Sequence, residues 1–325
     1  MWTDARAEGE VDAAEAKPEA RAFDAGRSPA VRKDARAEGE VDAAGAEEAV
    51  ADPQASKAVR CPDVPERVWG EAHALQTLHL FSGPDDRTDG MAAFLQTVGI
   101  GMYCVDVVNK CAWGMDIGDD VVWCKLKAVI RAGYYHFLFA GPPCRTFSLA
   151  RQVRPGPPPL RDRQYPYGFP RSQARKRGLK PTDFDKIRLD NLLAARTAEA
   201  CSIMRDLGRG FAVEQPWPWG ERGADAPSMF ELDQFADLQR QGAKTVVFDQ
   251  CMYGASSPKP TQILYHFARF DGLAARCHHP AGSHAPTVGV KTKAGDFATK
   301  ALSAYPSQLN KAIADIISES LVDAC

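Results

Sequence analysis

A chain of 325 residues with 45% hydrophobic content can build one good core, although its first sixth adds little to it. Its net charge of −2 is unevenly spread: residues 1–60 hold 14 acidic against 9 basic side chains and carry −5, which leaves +3 for the rest. The nine cysteines, at 61, 104, 111, 124, 144, 201, 251, 277 and 325, contain no C-x-x-C pair, which argues against a disulfide framework and a four-cysteine zinc site.

The N-terminal text "MWTDARAEGEVDAAEAK" lacks an apolar signal segment, and no stretch approaches the roughly 18 apolar residues of a membrane span. The expectation is a protein of nucleus or cytoplasm, without a membrane partner and with reduced thiols. The string "DARAEGEVDAA" occurs at 4–14 and again at 34–44. Two copies without apolar faces cannot stack as repeats. With little to bury, residues 1–66 are expected to be a disordered acidic tail, and a single domain is expected over 67–325.

From residue 67 the pattern changes. "LQTLHLF" (75–81) reads as a strand, "DGMAAFLQTVG" (89–99) as a helix with a glycine stop, and "IGMYCVDVV" (100–108) as a second strand. A helical stretch at 119–132, the strand "YHFLFAG" (135–141) and a long helix over about 185–208 come next. Further strands are expected at 210–215, 244–250 and 261–268, and a last helix within 301–325. This alternation predicts an α/β fold, a mostly parallel sheet with helices on both faces. Ligands of such sheets bind beyond the carboxyl ends of the strands.

The strand ends carry the polar signatures. The first runs into "LFSGPDDRTDG", a glycine-bearing turn before a helix whose free N–H groups can hold a carboxylate. The second ends at Asp106, where an acid can accept both hydroxyls of a ribose. Asp116 and Ile117 could accept from an adenine amino group and pack on its ring. The fourth and fifth signatures are "GPPC" and "VEQP". Together they describe a nucleoside-carrying cofactor beside a thiol and a carboxyl group.

In that order, "LFSG", "VD", "MDIGDD", "GPPCRTFS", "VEQP" and "DQCMYGASSPKPTQILYH" over roughly 75–268 resemble the motifs of the cytosine-C5 DNA methyltransferases. The divergent form is similar to methylase-like domains carried by mobile elements. The resemblance implies a Rossmann-like fold that binds S-adenosyl-L-methionine through Phe81, Ser82, Gly83, Asp106, Asp116, Ile117 and Pro142. It also implies catalysis by Cys144 and Glu214, with Lys259 where the family carries an arginine, and a C-terminal helix folding back on the cofactor. Arg145 stands where the family has Gln, and Gln215-Pro216 where it has Asn-Val.

Cytosine C5 is too electron-poor to attack a methyl sulfonium until a nucleophile adds at C6, which is work for a thiolate. A helix N-terminus or a neighbouring cation lowers a thiol pKa, and Arg145 and Arg151 are close to Cys144 in sequence. Addition at C6 drives charge toward N3, where a protonated Glu214 can donate. Two alternatives stand beside methyl transfer to DNA: a catalytically degenerate nucleic-acid-binding domain, and transfer to RNA cytosine.

The stretch 151–186 holds ten Lys/Arg against three Asp, with Tyr165, Tyr167 and Phe169 interleaved. It reads as a basic insertion that lies against nucleic acid, its cations meeting phosphates and its aromatics stacking on bases. Arg145, Ser148, Arg151, Arg171, Arg175, Lys176 and Arg177 are the expected contacts. Residues 269–300 are too few for an independent core and make at most a minimal target-recognition segment. Within them "CHHPAGSH" offers Cys277, His278, His279 and His284 at no standard zinc spacing, so no metal is expected. Trp113, Trp217 and Trp219 read as packing residues.

Overall fold

A computed structural model describes residues 75–109, 115–152, 156–218, 226–280, 282–284, 287, 290 and 298–322. The acidic tail with its duplication, Trp113 and Trp219 lie outside the described residues. Six strands form one sheet: β1 (Leu75–Leu80), β2 (Ile100–Val105), β3 (Phe137–Ala140), β4 (Gly210–Pro216), β5 (Lys244–Asp249) and β6 (Pro260–His266). Among the described residues six α-helices accompany them: α1 (Met91–Gln96), α2 (Asp120–Arg131), α3 (Ala174–Arg177), α4 (Pro181–Asp206), α5 (Asp233–Arg240) and α6 (Ser307–Val322).

The strand order is β2-β1-β3-β4-β6-β5. Strands β1 to β4 pair in parallel, whereas β6 pairs antiparallel with both β4 and β5. The sheet is therefore mixed, not mostly parallel as the sequence pattern predicts. The reason is the short connection: only residues 250–259 separate β5 from β6, and parallel neighbours need a crossover of a dozen residues or more.

The period-2 alternation of a strand divides the core between the two faces of the sheet. Leu138 and Ala140 of β3 belong to one cluster, with Leu126, Val129 and Ile130 of α2, Leu193 and Ala198 of α4, and Phe235 of α5. Phe137 and Phe139 belong to the other, with Leu95 of α1 and Ile313 and Ile317 of α6. Each Leu, Val, Ile or Phe side chain among these taken fully out of water contributes about 1.5–3 kcal/mol before conformational entropy is set against it. Burial on both faces explains why β3 is apolar at every position.

Helix α4 holds the loops on either side of it. Proline at its first position is preorganised for helical φ, and Asp183 accepts from Lys180 N at 3.1 Å. Two buried polar side chains on its inner side, Asp190 and Arg196, reach out to neighbouring segments. Arg196 donates to the carbonyls of Ile117 and Asp119 and pairs with Asp120 at the start of α2. Asp119 caps that helix, accepting from Val121 N at 2.9 Å and Val122 N at 3.0 Å.

Among the described cysteines, 104, 144, 201, 251 and 277 are free thiols.

Candidate active site

The chain leaves β1, adds β2 on one side, then crosses to place β3 on the other. That reversal opens a crevice at the carboxyl ends of β1 and β3. A cavity of about 820 Å³ lies there, within the range of small-molecule sites. Every residue that the family resemblance assigns to cofactor binding lines it, as do Cys144, Glu214 and Lys259.

The turn after β1 is built by side chains from the neighbouring strand end. Gly83 has φ +70°, which suits glycine, and its N–H donates to Asp106 Oδ2 at 2.9 Å. Val108 N donates to Asp106 Oδ1 at 3.2 Å, so the carboxylate is oriented while each oxygen keeps further acceptor capacity. The buried Asn109 completes the turn: it donates to Ser82 Oγ at 3.2 Å and Gly83 O at 3.0 Å, and accepts from Asp85 N at 3.1 Å. Phe81 holds a left-handed φ of 61°, a conformation that costs a non-glycine residue energy and clusters at functional sites. Asp116 is exposed and accepts from Gly118 N at 2.8 Å, and Ile117 beside it is buried.

Cys144 follows β3 through Gly141, Pro142 and Pro143. Gln215 of β4 donates to Pro142 O at 2.7 Å, tying the Pro-Pro turn to the adjacent strand. Thr146 and Arg145 are both held by Asp190 of α4, at 2.7 and 2.9 Å. Cys144 is not at a helix N-terminus: its carbonyl closes a tight turn with Phe147 N at 2.9 Å. The expected lowering of the thiol pKa is therefore corrected. Burial pushes it up to about 11, the Glu214 and Asp190 charges add to the rise, and the Lys259 charge and a backbone hydrogen bond oppose it. Arg145, expected to help, is engaged with Asp190.

Glu214, at the end of β4, has one oxygen bonded to Tyr305 Oη at 3.1 Å and the other buried with no partner. Burial raises its pKa, against the opposing effects of Lys259 and Tyr305. Lys259 has a left-handed φ of 36°, and its ammonium lies 5.3 Å from the centre of the Tyr305 ring. Gly141 is required beneath that ring, because a Cβ there would come within 2.7 Å of Tyr305 Oη. Nothing in the sequence singles out Tyr305: one aromatic before Pro306 gives no local hint of a partner 91 residues away.

The expected nucleic-acid contacts divide in two. Arg145 and Arg151 are engaged within the chain: Arg145 is exposed but paired with Asp190, and the half-buried Arg151 donates to Arg145 O at 2.6 Å and Pro158 O at 2.8 Å. Ser148 caps the 3-10 turn Leu149–Arg151 and lines the cavity. Arg171, Arg175 and Lys176 are exposed, whereas Arg177 stacks 3.5 Å from the Phe169 ring centre. Phe169 is buried, so the expected base stacking does not extend to it. Arg161, counted in the basic stretch, is also buried, donating to Thr146 Oγ1 at 2.8 Å and Asn191 Oδ1 at 3.0 Å. Trp217 stacks with Arg276 at 4.5 Å and lines the cavity.

Among the described residues, no helix is long and apolar enough to cross a membrane. The chain matches no protein-family model and no curated protein.

Proposed function

We propose that this domain is a Rossmann-like, S-adenosyl-L-methionine-dependent methyltransferase acting on C5 of cytosine in DNA. The observation that carries the reading is the convergence of Cys144, Glu214, Lys259 and Tyr305 on one cavity that Gly83, Asp106 and Ile117 also line. The chain's residues fit the cofactor: Asp106 has acceptor capacity for ribose hydroxyls, Ile117 is an apolar wall, and Asp85 and Asp106 are anionic groups suited to a cationic sulfonium. When bound, that group supplies an electrophilic methyl.

The chain's own residues do the rest. Cys144, once its thiol proton has passed to solvent, forms a bond from Sγ to C6 of the base, and the electron pair displaced from the C5–C6 bond makes C5 nucleophilic; at the end of the reaction loss of the C5 proton to water and cleavage of the C6–S bond restore the ring and the thiolate. Glu214, whose protonated form burial favours, donates to N3 as charge develops there, using the oxygen that lacks a partner. Donation brings the carboxylate's charge into being only as N3 takes up the proton, so the thiolate faces a neutral acid beforehand. Lys259 stabilises the anionic sulfur, and Tyr305 orients Glu214. The base must leave its stack to reach Cys144.

A second reading, a nucleic-acid-binding domain without turnover, is favoured by the thiol pushed up to about 11. Covalent trapping separates the two. A duplex containing 5-fluorocytosine, with protein and cofactor, is expected to become attached at Cys144, because fluorine blocks the final elimination. Equal trapping by wild type and Cys144→Ala would refute the nucleophile; binding without any adduct would favour the second reading. The same trap on an RNA oligonucleotide tests transfer to RNA.

A further inference from the structure

Next to the turn that carries Lys259, four metal-ligating side chains come together from two separate segments. Cys251 stands in the 3-10 turn Gln250–Tyr253 after β5. Cys277, His279 and His284 stand in the segment after β6. Their ligating atoms all lie within 4.8 Å of one another. Cys277 Sγ is 3.4 Å from His279 Nδ1 and 3.3 Å from His284 Nε2. A tetrahedral zinc ion with Zn–S near 2.3 Å and Zn–N near 2.0–2.1 Å separates its ligands by about 3.3–3.8 Å, so the cluster already has close to the required spacing.

We infer that Cys251, Cys277, His279 and His284 form a structural zinc site. Two thiolates and two imidazoles are the donor set that selects zinc in tetrahedral geometry, and four protein ligands leave no open position for catalysis. Binding displaces one proton from each thiol. The surroundings orient the donors without help from the ion. His284 Nδ1 lies 3.2 Å from Ser256 O, which keeps the proton on Nδ1 and leaves Nε2 free to ligate. Asp249 N donates to Ala275 O at 2.9 Å, and Asp249 Oδ2 accepts from Cys277 N at 2.7 Å and pairs with Arg276 Nε at 3.1 Å. The ligand-bearing backbone is thus pinned to the end of β5 beside Cys251.

The expectation of no metal, drawn from the spacing of "CHHPAGSH", considered the wrong set of four. Cys277, His279 and His284 belong to the cluster, His278 does not, and the fourth ligand is Cys251 from a different element. His279 and His284 have the H-x4-H spacing of zinc sites, but the second cysteine is supplied by the fold. The site also reaches the cavity. Ser256, whose carbonyl holds His284, begins the turn that delivers Lys259, and Lys259 O accepts from Gln250 N beside Cys251 at 3.5 Å. Zinc would fasten the segment after β6 to the turn that presents Lys259, whether or not the domain transfers methyl groups.

The test is the metal content of the full-length chain purified without added metal, followed by cobalt(II) substitution. One zinc per chain is expected, and cobalt should give the d–d absorption of a tetrahedral site with thiolate-to-metal charge transfer. Cys277→Ser, His279→Ala and His284→Ala should lose the ion at least tenfold more readily to a chelator, while Cys144→Ala and His278→Ala should retain it. Because Cys277→Ser could misfold, the exposed His279→Ala and the loss of chelator sensitivity in its thermal unfolding serve as the independent readout. A metal-free chain that takes up no cobalt, a Cys251–Cys277 disulfide in its place, or an ion unaffected by these substitutions would each overturn the assignment.

Discussion

The thiol at 144 and the carboxyl at 214 each raise the other's pKa if both are charged, so they cannot be read separately. Cys144 is pushed up to about 11 by burial and by Glu214, and Glu214 is itself raised by burial. Burial thus favours the uncharged form of each group, and a substrate that takes a proton from Glu214 changes both. Each unit of pKa is a tenfold change in thiolate fraction on the acid side of the titration. Glu214→Gln removes the like charge while keeping the shape. Alkylation of Cys144 should therefore follow a lower apparent pKa in Glu214→Gln than in wild type, by mass-spectrometric rate measurements across pH 7–10. An unchanged or higher apparent pKa would mean that Glu214 does not act on the thiol. Lys259→Met should move the same titration upward, since the only cation opposing the rise is removed.

At the scale of elements, the basic insertion is two things in one stretch. Its inner part is structural: the buried Arg161 donates to Thr146, which with the exposed Arg145 is held by Asp190, and this network fixes the turn after Cys144. Its outer part, Arg171, Arg175 and Lys176, is exposed. If that outer part neutralises phosphates, each lost contact lowers the slope of log affinity against log salt by about 0.9 on duplex DNA. The triple alanine variant at 171, 175 and 176 should weaken binding to all sequences alike and flatten the slope by up to about 2.7. Arg177 is left in place because it packs on the buried Phe169. An unchanged slope would show that nucleic acid, if bound, lies elsewhere. This division was not legible in the charge count, which treats a buried arginine and an exposed one alike. The strands were legible because alternation and apolar runs are local signals, and all six lie within a few residues of their expected places. Helix α5 was not, since only Phe235 and Leu238 of its eight residues are buried. That Cys144, Glu214 and Lys259 share one cavity was legible through the order of motifs. Tyr305, Asn109 and Cys251 were not, because each acquires its role only from a partner distant in sequence.

The whole molecule closes its cavity with its own far end: Arg87 donates to Tyr305 O at 3.2 Å, and Asn310 of α6 donates to Asp89 O at 2.8 Å, next to the start of α1. Stability of the fold and integrity of the site are therefore linked, and one buried group makes the link dependent on pH. His79, on β1 and in the cavity wall, packs edge-on against Phe139 at 5.2 Å, and its Nε2 has no hydrogen-bond partner. Burial lowers its pKa to about 3 from 6.5. The folded chain thus keeps His79 neutral where the unfolded chain protonates it. Its contribution is undiminished above about pH 6.5 and is lost progressively as pH falls toward 3, at up to about 1.4 kcal/mol per pH unit. Between pH 7 and pH 5 this amounts to about 2 kcal/mol of unfolding free energy. Other groups titrate in the same window, so the comparison is between wild type and His79→Leu, which cannot charge. Urea unfolding at the two pH values should show a loss smaller by about 2 kcal/mol in the variant. If both proteins lose the same stability, His79 either reaches solvent or finds a partner on protonation, and the wall of the cavity at β1 is not closed around it.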